Sequence, residues 1–427
     1  MITVSIIFFT LLLIGVPIGY VLGIAGVVGL YSIGGDHFLI MAPKRYFEGL
    51  NLFTFMAMPF FIMAGEIMNR VGLTAKLAQF ADSMVGYFRG GMAHANMVAS
   101  VLFAGMTGAA VSDSAAFGNT LVPAMVKQGY TRPYACAVTA AGSIIGPTIP
   151  PSNLMVIYGS LAGVSIAGLF AAGIVPGLLL CIVCDILIAV TGKRLNLPKK
   201  EGSPSLKEIL WTFRYSISSL ILPVIILGGI LGGVVTPTEA AAIAVLYTLF
   251  LGIFVERNLK YNDILSILIR TARITGVVFL IIAAASILSW WMTYMKIPQA
   301  IAGTILTISE NPLVVKALIL GLLLLIGMFM DINAALIILT PMLAALTATI
   351  GMHPVHAGIM IVLALNISLM TPPVGACLFV LCSVTGEKLE NIAKAIWPFI
   401  LVEVFVLILV TYWTDLTMLV PKLLLGM

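Results

Sequence analysis

The sequence predicts an all-α polytopic membrane protein made of two inverted repeats, each with about five spans, a re-entrant hairpin and a broken helix. Of its 427 residues, 61% are apolar and only 9% are charged, whereas soluble domains carry roughly 25% charged residues. Apolar stretches of the length that a membrane helix needs, about 20 residues, recur from end to end. Prolines and acidic residues also recur at matching positions in the two halves.

Composition and motifs exclude several functional classes. The net charge of +5 comes from short loops that follow the positive-inside rule, so the lipid bilayer, and not nucleic acid, is the expected partner. The first basic residue is Lys44, so a cleaved secretory signal is not expected. HExxH, GxSxG and Walker A lysine motifs are missing from the sequence. We therefore expect neither an enzyme nor an organic cofactor.

The first repeat is predicted to cover residues 1–192. Its apolar segments lie near 2–33, 52–69, 91–106, 131–163 and 167–191. The intervening segment 107–126 is too polar to cross the membrane and predicts a re-entrant hairpin. Residues 73–88 place apolar side chains on one helical face and polar ones, such as Lys76 and Ser83, on the other. This pattern predicts an amphipathic helix in the membrane interface.

A basic linker, 193–215, separates this repeat from the second one. Six Lys and Arg face two Glu in the linker, so it is predicted to be cytoplasmic. The second repeat is predicted to cover 216–427, with a re-entrant hairpin at 329–349. Its apolar segments lie near 216–256, 275–292, 312–328, 355–385 and 392–413.

A near-constant spacing between the halves indicates an internal duplication. The matching residues are 218 to 222 positions apart: Pro17 and Pro237, Asp113 and Asp331, and Pro150-Pro151 and Pro372-Pro373. Five spans and one re-entrant hairpin in each half would give an odd number of crossings. The two copies would then face opposite sides of the membrane.

Helix-breaking residues interrupt one apolar segment in each half. The breaks are "GSIIGPTIPPSN" within 131–163 and "NISLMTPPVG" within 355–385. An unsatisfied backbone group in hydrocarbon costs several kcal/mol, so a break persists only where protein, water or ligand satisfies it. For one break alone, a simple proline kink is an adequate explanation. Two breaks at corresponding positions of two repeats indicate the binding site of a secondary transporter.

The breaks also indicate what could bind there. Carbonyl groups freed on one half-helix suit a hard cation such as Na⁺. Amide N–H groups at the start of the next half-helix suit a carboxylate. We expect the substrate to lie against residues of the breaks and the first hairpin, namely Ser114, Thr148, Pro150, Ser152, Asn153, Thr371, Pro372 and Val374.

Six acidic residues fall in or beside apolar segments: Glu66, Asp113, Asp185, Glu239, Asp331 and Glu403. Asp113 and Asp331 are matched acids at membrane depth, where a charge is costly and usually functional. Either acid could cap a hairpin tip, ligate a cation, or do both. Glu239 follows Thr236 at the spacing of a capping box. We expect Glu66 to pair with a basic residue of a neighbouring helix.

Several segments, in the right order and across essentially the whole chain, resemble the large membrane subunit of tripartite ATP-independent periplasmic (TRAP) transporters. They are "FFIMAGEIM", "AGMTGAAVSDSAAFGN", "GPTIPPSNLMVIYG", "GVVTPTEAAAIAV", "MDINAALIILTPML" and "TPPVGACLFV". The resemblance implies the inverted-repeat fold of the ion-transporter superfamily, with elevator-type scaffold and transport domains. It also implies a bacterial inner (cytoplasmic) membrane location.

The resemblance implies a function as well. Such a subunit imports an organic acid, such as a C4-dicarboxylate, sialic acid or another sugar acid, by Na⁺ symport. A periplasmic binding protein would deliver the substrate, and a separate small four-helix membrane subunit would complete the complex. The alternative is a stand-alone Na⁺- or H⁺-coupled organic-anion carrier without a binding protein. A channel or an intramembrane enzyme is a third, different class.

The resemblance finally implies Na⁺ at each junction of a hairpin with a break. The candidate residues are Thr107, Gly108, Ser112, Asp113, Ser143 and Gly146 at the first junction, and Gly327, Asp331, Asn333, Asn366, Ser368 and Met370 at the second. The first hairpin reads "TGAAVSD", where the family often has a Ser-rich "SGSA" tip. This departure bears on the side-chain ligands of the first site. Ala376-Cys377, in place of the more usual Leu-Asn, bears on substrate binding or packing.

Overall fold

The computed structural model describes residues 2–104, 108–200, 202, 205–309 and 311–427. The described residues are helical almost throughout and form no strand. The helices of the first half are α1 (Ile2–Leu13), α2 (Ile18–Gly34), α3 (Asp36–Leu39), α4 (Met41–Leu50), α5 (Ala57–Val71), α6 (Leu73–Val85), α7 (Gly91–Phe103), α8 (Ala110–Lys127), α9 (Arg132–Thr148), α10 (Asn153–Ala162) and α11 (Ile166–Gly192).

The second half repeats much of this order. Its helices are α12 (Leu206–Leu231), α13 (Pro237–Phe250), α14 (Tyr261–Tyr294), α15 (Ile297–Ile308), α16 (Pro312–Gly327), α17 (Ile332–Thr349), α18 (Pro354–Ser368), α19 (Ala376–Thr385), α20 (Leu389–Tyr412) and α21 (Asp415–Leu425). A π-helical turn, Leu251–Val255, extends α13.

Six helices of the described residues are long and apolar enough to cross a membrane, or seven if a pair bent by 58°, Asp36–Leu50 and Phe53–Val71, is one span. The six are α11, α12, α13 with its π-helical turn, α14, α17 and α20. The chain is thus a multi-pass membrane protein. Fewer long helices occur than apolar segments because several segments are split, as 131–163 is into α9 and α10.

Prolines begin two of the helices in corresponding places. Pro17 immediately precedes α2 and Pro237 is the first residue of α13. At the start of α13, the Thr236 N–H donates to the Glu239 carboxylate at 2.7 Å, and the Glu239 N–H donates to the Thr236 hydroxyl at 3.3 Å. This confirms the predicted capping box.

The centre of the fold consists of α9 and α18. Residues 135–148 of α9 and 355–368 of α18 are buried without interruption. A helix that is apolar all round is expected to be surrounded by other helices. The two helices that precede breaks therefore lie deepest in the molecule, with no face left for lipid.

Each predicted hairpin segment is mostly one helix in the structure. Segments 107–126 and 329–349 each contain one long helix, α8 and α17, so the turn precedes them and α7 and α16 are the first arms. The polar residues of α8 do not interrupt the helix because they bond to it. Asn119 and Thr120 donate to carbonyls four residues earlier, at 3.0 and 2.8 Å.

The two halves are interlocked around these hairpins. Helix α8 packs against α9 of its own half and against α19 of the other half. Helix α17 likewise packs against α18 of its own half and against α10 of the other. Each hairpin thus lies between a break of its own half and a half-helix from the other.

The predicted linker 193–215 is shorter in the structure because α12 begins at Leu206. Charged residues near the start of α12 give this part of the helix the composition of a linker. Another face of α12 packs against α6. In that contact the hydroxyls of Ser83 and Thr212 lie 2.7 Å apart and are buried.

The amphipathic prediction for 73–88 was correct for the helix, α6, but wrong for its surroundings. Lys76 is 8% exposed and Ser83 is 1% exposed, although both were assigned to a polar outer face. The Lys76 ammonium group lies 2.5 Å from the Glu256 carboxylate and 4.2 Å from the ring centre of Tyr215. The polar face is therefore buried only in part: these partners and Thr212 satisfy Lys76 and Ser83, whereas Gln79 on the same face is exposed.

Candidate functional site

The first break separates α9 from α10. Helix α9 ends at Thr148 and α10 begins at Asn153, with a cis peptide bond between Pro150 and Pro151. The Thr148 hydroxyl donates to the carbonyl of Ile144 at 2.8 Å. Ser152 precedes α10, but its side chain does not cap the helix.

The second break has the same arrangement. Helix α18 ends at Ser368 and α19 begins at Ala376, with a cis bond between Pro372 and Pro373. Gly375 precedes α19 with φ +56°, a left-handed conformation that glycine adopts without steric cost. Glycine also leaves the start of α19 without a side-chain cap.

The two breaks meet in the middle of the molecule. The side-chain amide of Asn366, near the end of α18, donates to the Thr148 hydroxyl at 3.4 Å. On the other side of the first break, the Tyr158 hydroxyl of α10 donates to the carbonyl of Pro354 at 3.4 Å. The interrupted backbones of both halves therefore contribute to one region.

The first hairpin lies directly on the first break. The Asn153 N–H, at the start of α10, donates to the Gly108 carbonyl at 3.4 Å. A β-carbon on Gly108 would lie 3.1 Å from that nitrogen, so the close approach requires glycine. Deeper along α9, a methyl group on Gly146 would overlap a carboxylate oxygen of Asp113. The Asp113 side chain is buried at this junction.

The second hairpin lies on the second break in the same way. A methyl group on Gly327, at the end of α16, would overlap the hydroxyl of Ser368. Asp331 begins α17, and one carboxylate oxygen accepts from the N–H groups of Asn333 and Ala334 at 3.0 and 3.1 Å. The structure thus confirms the capping role for Asp331, and cation ligation by this residue stays a prediction.

A cavity of about 740 Å³ opens between the hairpins and the breaks. Both hairpin tips and both breaks line it, together with residues of α5 and α14. Eight of the predicted site residues lie in its wall: Gly108, Ser112, Asn153, Gly327, Asp331, Asn333, Asn366 and Val374. Residues far apart in sequence thus surround one space large enough for a small organic molecule.

The other predicted residues are not in the cavity wall. Ten of them are buried behind it in the packed helices and breaks: Asp113, Ser114, Ser143, Gly146, Thr148, Pro150, Ser152, Ser368, Met370 and Thr371. Pro372 is half-buried in the second break. Thr107 lies outside the described residues.

The oxygen atoms near the breaks fit a hard cation. The hydroxyls of Ser143 and Ser368 donate to carbonyls of their own helices at 2.7 and 2.6 Å, which leaves their lone pairs directed elsewhere. The side-chain oxygen of Asn366 is buried and accepts no hydrogen bond from the described residues. Hydroxyl, amide and carboxylate oxygens are ligands of the kind that Na⁺ prefers.

A negative charge is favoured at the starts of α10 and α19, the half-helices that follow the breaks. Asn153 and Leu154 of α10, and Gly375 and Ala376 beside α19, all line the cavity. No side chain of a preceding residue caps either helix. Backbone carbonyls already accept from the Asn153 and Cys377 N–H groups, so it is the positive end of each helix dipole that favours an anion in the cavity.

Sequence reasoning missed two arginines that line the cavity beside Glu66. Glu66 of α5 and Arg270 and Arg273 of α14 line the cavity. The Arg270 guanidinium lies 3.2 Å from the Glu66 carboxylate, which confirms the predicted pairing of Glu66 with a neighbouring helix. The arginines were placed before the apolar segment 275–292, whereas α14 starts at Tyr261. Two arginines three residues apart in a long apolar helix were the available signal.

Comparison with known proteins identifies a family. The family described as "Tripartite ATP-independent periplasmic transporter, DctM component" matches residues 5–416. The sialic acid TRAP transporter large permease protein SiaM of Vibrio cholerae is 38% identical over 422 residues, which cover 97% of each chain. The C4-dicarboxylate TRAP transporter large permease protein DctM of Pseudomonas aeruginosa is 35% identical over 401 residues, 94% of this chain and 93% of that one.

The fold also has a solved counterpart. The crystal structure of the YdaH transporter of Alcanivorax borkumensis superposes with a TM-score of 0.63 at 14% sequence identity. The match covers 90% of this chain and 89% of that one. At this level of identity the comparison concerns the fold alone.

Proposed function

The chain belongs to the DctM component family of tripartite ATP-independent periplasmic transporters, and we propose that it is the permease through which a Na⁺ gradient drives the import of an organic acid. Family members are transporter components and not enzymes. The relatives named for sialic acid and C4-dicarboxylates make a carboxylate the expected substrate.

One observation supports this proposal above the others. A single cavity is bounded by both hairpin tips and both helix breaks. The positive ends of two helix dipoles, at helix starts without a side-chain cap, favour a carboxylate at this cavity, and oxygen acceptors at the two junctions favour cations. Cations on either side of the anion would offset part of the cost of removing its charge from water.

Each junction would hold one Na⁺ in this proposal. The first site would involve Asp113 together with Ser112, Ser143 and backbone carbonyls near Gly108 and Gly146. The second would use the side-chain oxygen of Asn366 with oxygens from Gly327, Asp331, Asn333, Ser368 and Met370. The family resemblance implies these residues, and the contacts of each hairpin with its own break support the assignment.

The transport cycle would require a moving domain and two partners. The interlocked hairpins and breaks would move as one body against a scaffold that includes α5 and α14. A periplasmic binding protein would deliver the acid, and a small four-helix membrane subunit would complete the complex in the bacterial inner membrane. Membership in a tripartite family supports both partners.

Reconstitution tests the proposal. The chain, its small subunit and its binding protein would be placed in liposomes with labelled N-acetylneuraminate or succinate outside. We expect uptake of one of these acids only with an inward Na⁺ gradient and loaded binding protein. Uptake by the chain alone would instead indicate a stand-alone carrier, and flux without any ion gradient dependence would indicate a channel.

A further inference from the structure

One face of α14 lines the cavity, together with the hairpin tips and the breaks. Its lining residues are Arg270, Arg273, Ile274, Val277 and Val278, which recur at the spacing of one helical face. The face is charged at the end nearer Tyr261 and apolar beyond it. Anything that passes along this wall moves between an apolar region and two guanidinium groups.

The charged side chains on this wall differ in how much of each is exposed to solvent. Glu66 has 13% of its side chain exposed, and its partner Arg270 has 65% exposed. In the described part of the chain, the ion pairs between α5 and α14 are Glu66–Arg270 and Arg70–Asp263. Neither pair includes Arg273, which is exposed at the cavity and forms no ion pair within 4 Å among the described residues.

A purely structural role explains these residues less well. Arginines near a membrane surface commonly extend to water, and an ion pair can hold two helices together. However, Arg70 and Asp263 already join the same helices at 2.7 Å without lining the cavity. Arg270 and Arg273 differ from Arg70 in that they face the space assigned to the substrate.

The position of these arginines along the membrane is set by the chain path. Helices α12 and α13 are joined by five residues, 232–236, so the second returns to the side from which the first started. Helix α14 therefore begins on the side of the connection between α11 and α12. Arg270 and Arg273 are the tenth and thirteenth of its 34 residues, in the half nearer that side.

We propose that Arg270 and Arg273 form a second carboxylate-binding site, an exit site that receives the organic acid when it leaves the hairpins and breaks. A guanidinium group binds a carboxylate through two parallel N–H donors. Glu66 competes for Arg270, which keeps the acid weakly held and lets it leave. The proposal rests on the proposed function, because it requires a carboxylate substrate, and on the positive-inside orientation, which makes this the cytoplasmic side.

Efflux and uptake measured on the same liposomes test the exit site. The binding protein is supplied only outside the liposomes. Only complexes whose periplasmic side faces outwards therefore contribute. Uptake of N-acetylneuraminate or succinate, whichever the unaltered complex transports, gives the external half-saturation. Efflux of the same acid into excess ligand-free binding protein gives the internal half-saturation. The variants are Arg270→Gln with Arg273→Gln, the matched Arg→Lys pair, and Arg70→Gln as a control on the same two helices.

We expect the double Gln variant to raise the internal half-saturation at least fivefold, with less than a twofold change in the external one. The Lys pair should restore part of the loss, and Arg70→Gln should change neither value. An unchanged internal value in the double Gln variant overturns the exit site. An equal rise of both values also overturns it, since that would indicate the main site or a disturbed fold. Failure of the unaltered complex to take up either acid with Na⁺ counts against the proposed function instead.

Discussion

Gly146 lies so close to the carboxylate of Asp113 that a methyl group at this glycine would overlap a carboxylate oxygen. The contact joins α9, just before the first break, to the first turn of α8. It fixes a buried acid at a defined height in the membrane. A small change at a residue without any side chain should therefore disturb the first cation site.

The first prediction concerns Gly146→Ala. The added methyl group displaces Asp113, so we expect the Na⁺ concentration for half-maximal uptake to rise about tenfold, equivalent to about 1.4 kcal/mol. The measurement is uptake against external Na⁺ in reconstituted liposomes. Gly321→Ala is the matched control, because a β-carbon there meets nothing within 4 Å. Equal Na⁺ dependence in both variants would remove Asp113 from the first site.

The second prediction concerns Gly327→Ala, whose methyl group would overlap the hydroxyl of Ser368. We expect a loss of Na⁺ affinity of at least fivefold in the same assay. Gly321→Ala on the same helix is again the control and should leave the Na⁺ affinity unchanged, because a β-carbon there meets nothing within 4 Å. Equal Na⁺ affinity in the two variants would show that the contact between Gly327 and Ser368 does not shape the second site.

The third prediction uses Val374, which lines the cavity and is 40% exposed. Val374→Trp should reduce the maximal uptake rate at least tenfold, since the indole would occupy substrate space while burying little in the core. Val224→Trp, on the outside of α12 with Val224 69% exposed, should transport normally. Detergent gel filtration checks that both variants are folded. Normal uptake by Val374→Trp would place the substrate elsewhere.

The fourth prediction concerns stability. Lys76→Met leaves the Glu256 carboxylate with 17% exposure and no ammonium partner, so it should lower the free energy of unfolding by about 3 kcal/mol. Adding Glu256→Gln should recover part of this loss. Lys422→Met breaks an exposed pair with Asp415 and should cost less than about 1 kcal/mol. Denaturant unfolding in detergent provides the comparison, and equal losses would show that burial of the Lys76 pair has no energetic effect.

The helix breaks could be predicted from sequence because proline and glycine act on their own backbone. The helices end at Thr148 and Ser368, two and four residues before the Pro-Pro pairs. The conformation there depends on a few adjacent residues. A local rule was therefore sufficient.

Polar side chains in the two hairpin segments do not mark irregular backbone. Asn119, Thr120 and Thr340 instead bond to carbonyls four residues earlier in their own helices. Sequence polarity cannot distinguish a side chain that satisfies its own helix from one that needs an external partner. The turn position became visible only from the observed helix bounds.

Contacts between residues far apart in sequence also could not be predicted from the sequence. Lys76 was assigned to an outer face because its partner, Glu256, is 180 residues away in sequence. Arg270 was assigned to a loop because Glu66 and the cavity could not be located without the fold. Periodicity determines which residues share a face, but not what that face contacts.

The interlocked hairpins constrain how the chain can be made. The face of α8 that packs against α19 has no partner until the chain has grown by 249 residues, from Lys127 to Ala376. During that interval a helix bearing Asp113 has only its own half to shield it from lipid. An interrupted chain would therefore leave a polar helix exposed in the bilayer, where membrane proteases could recognise it as unfinished.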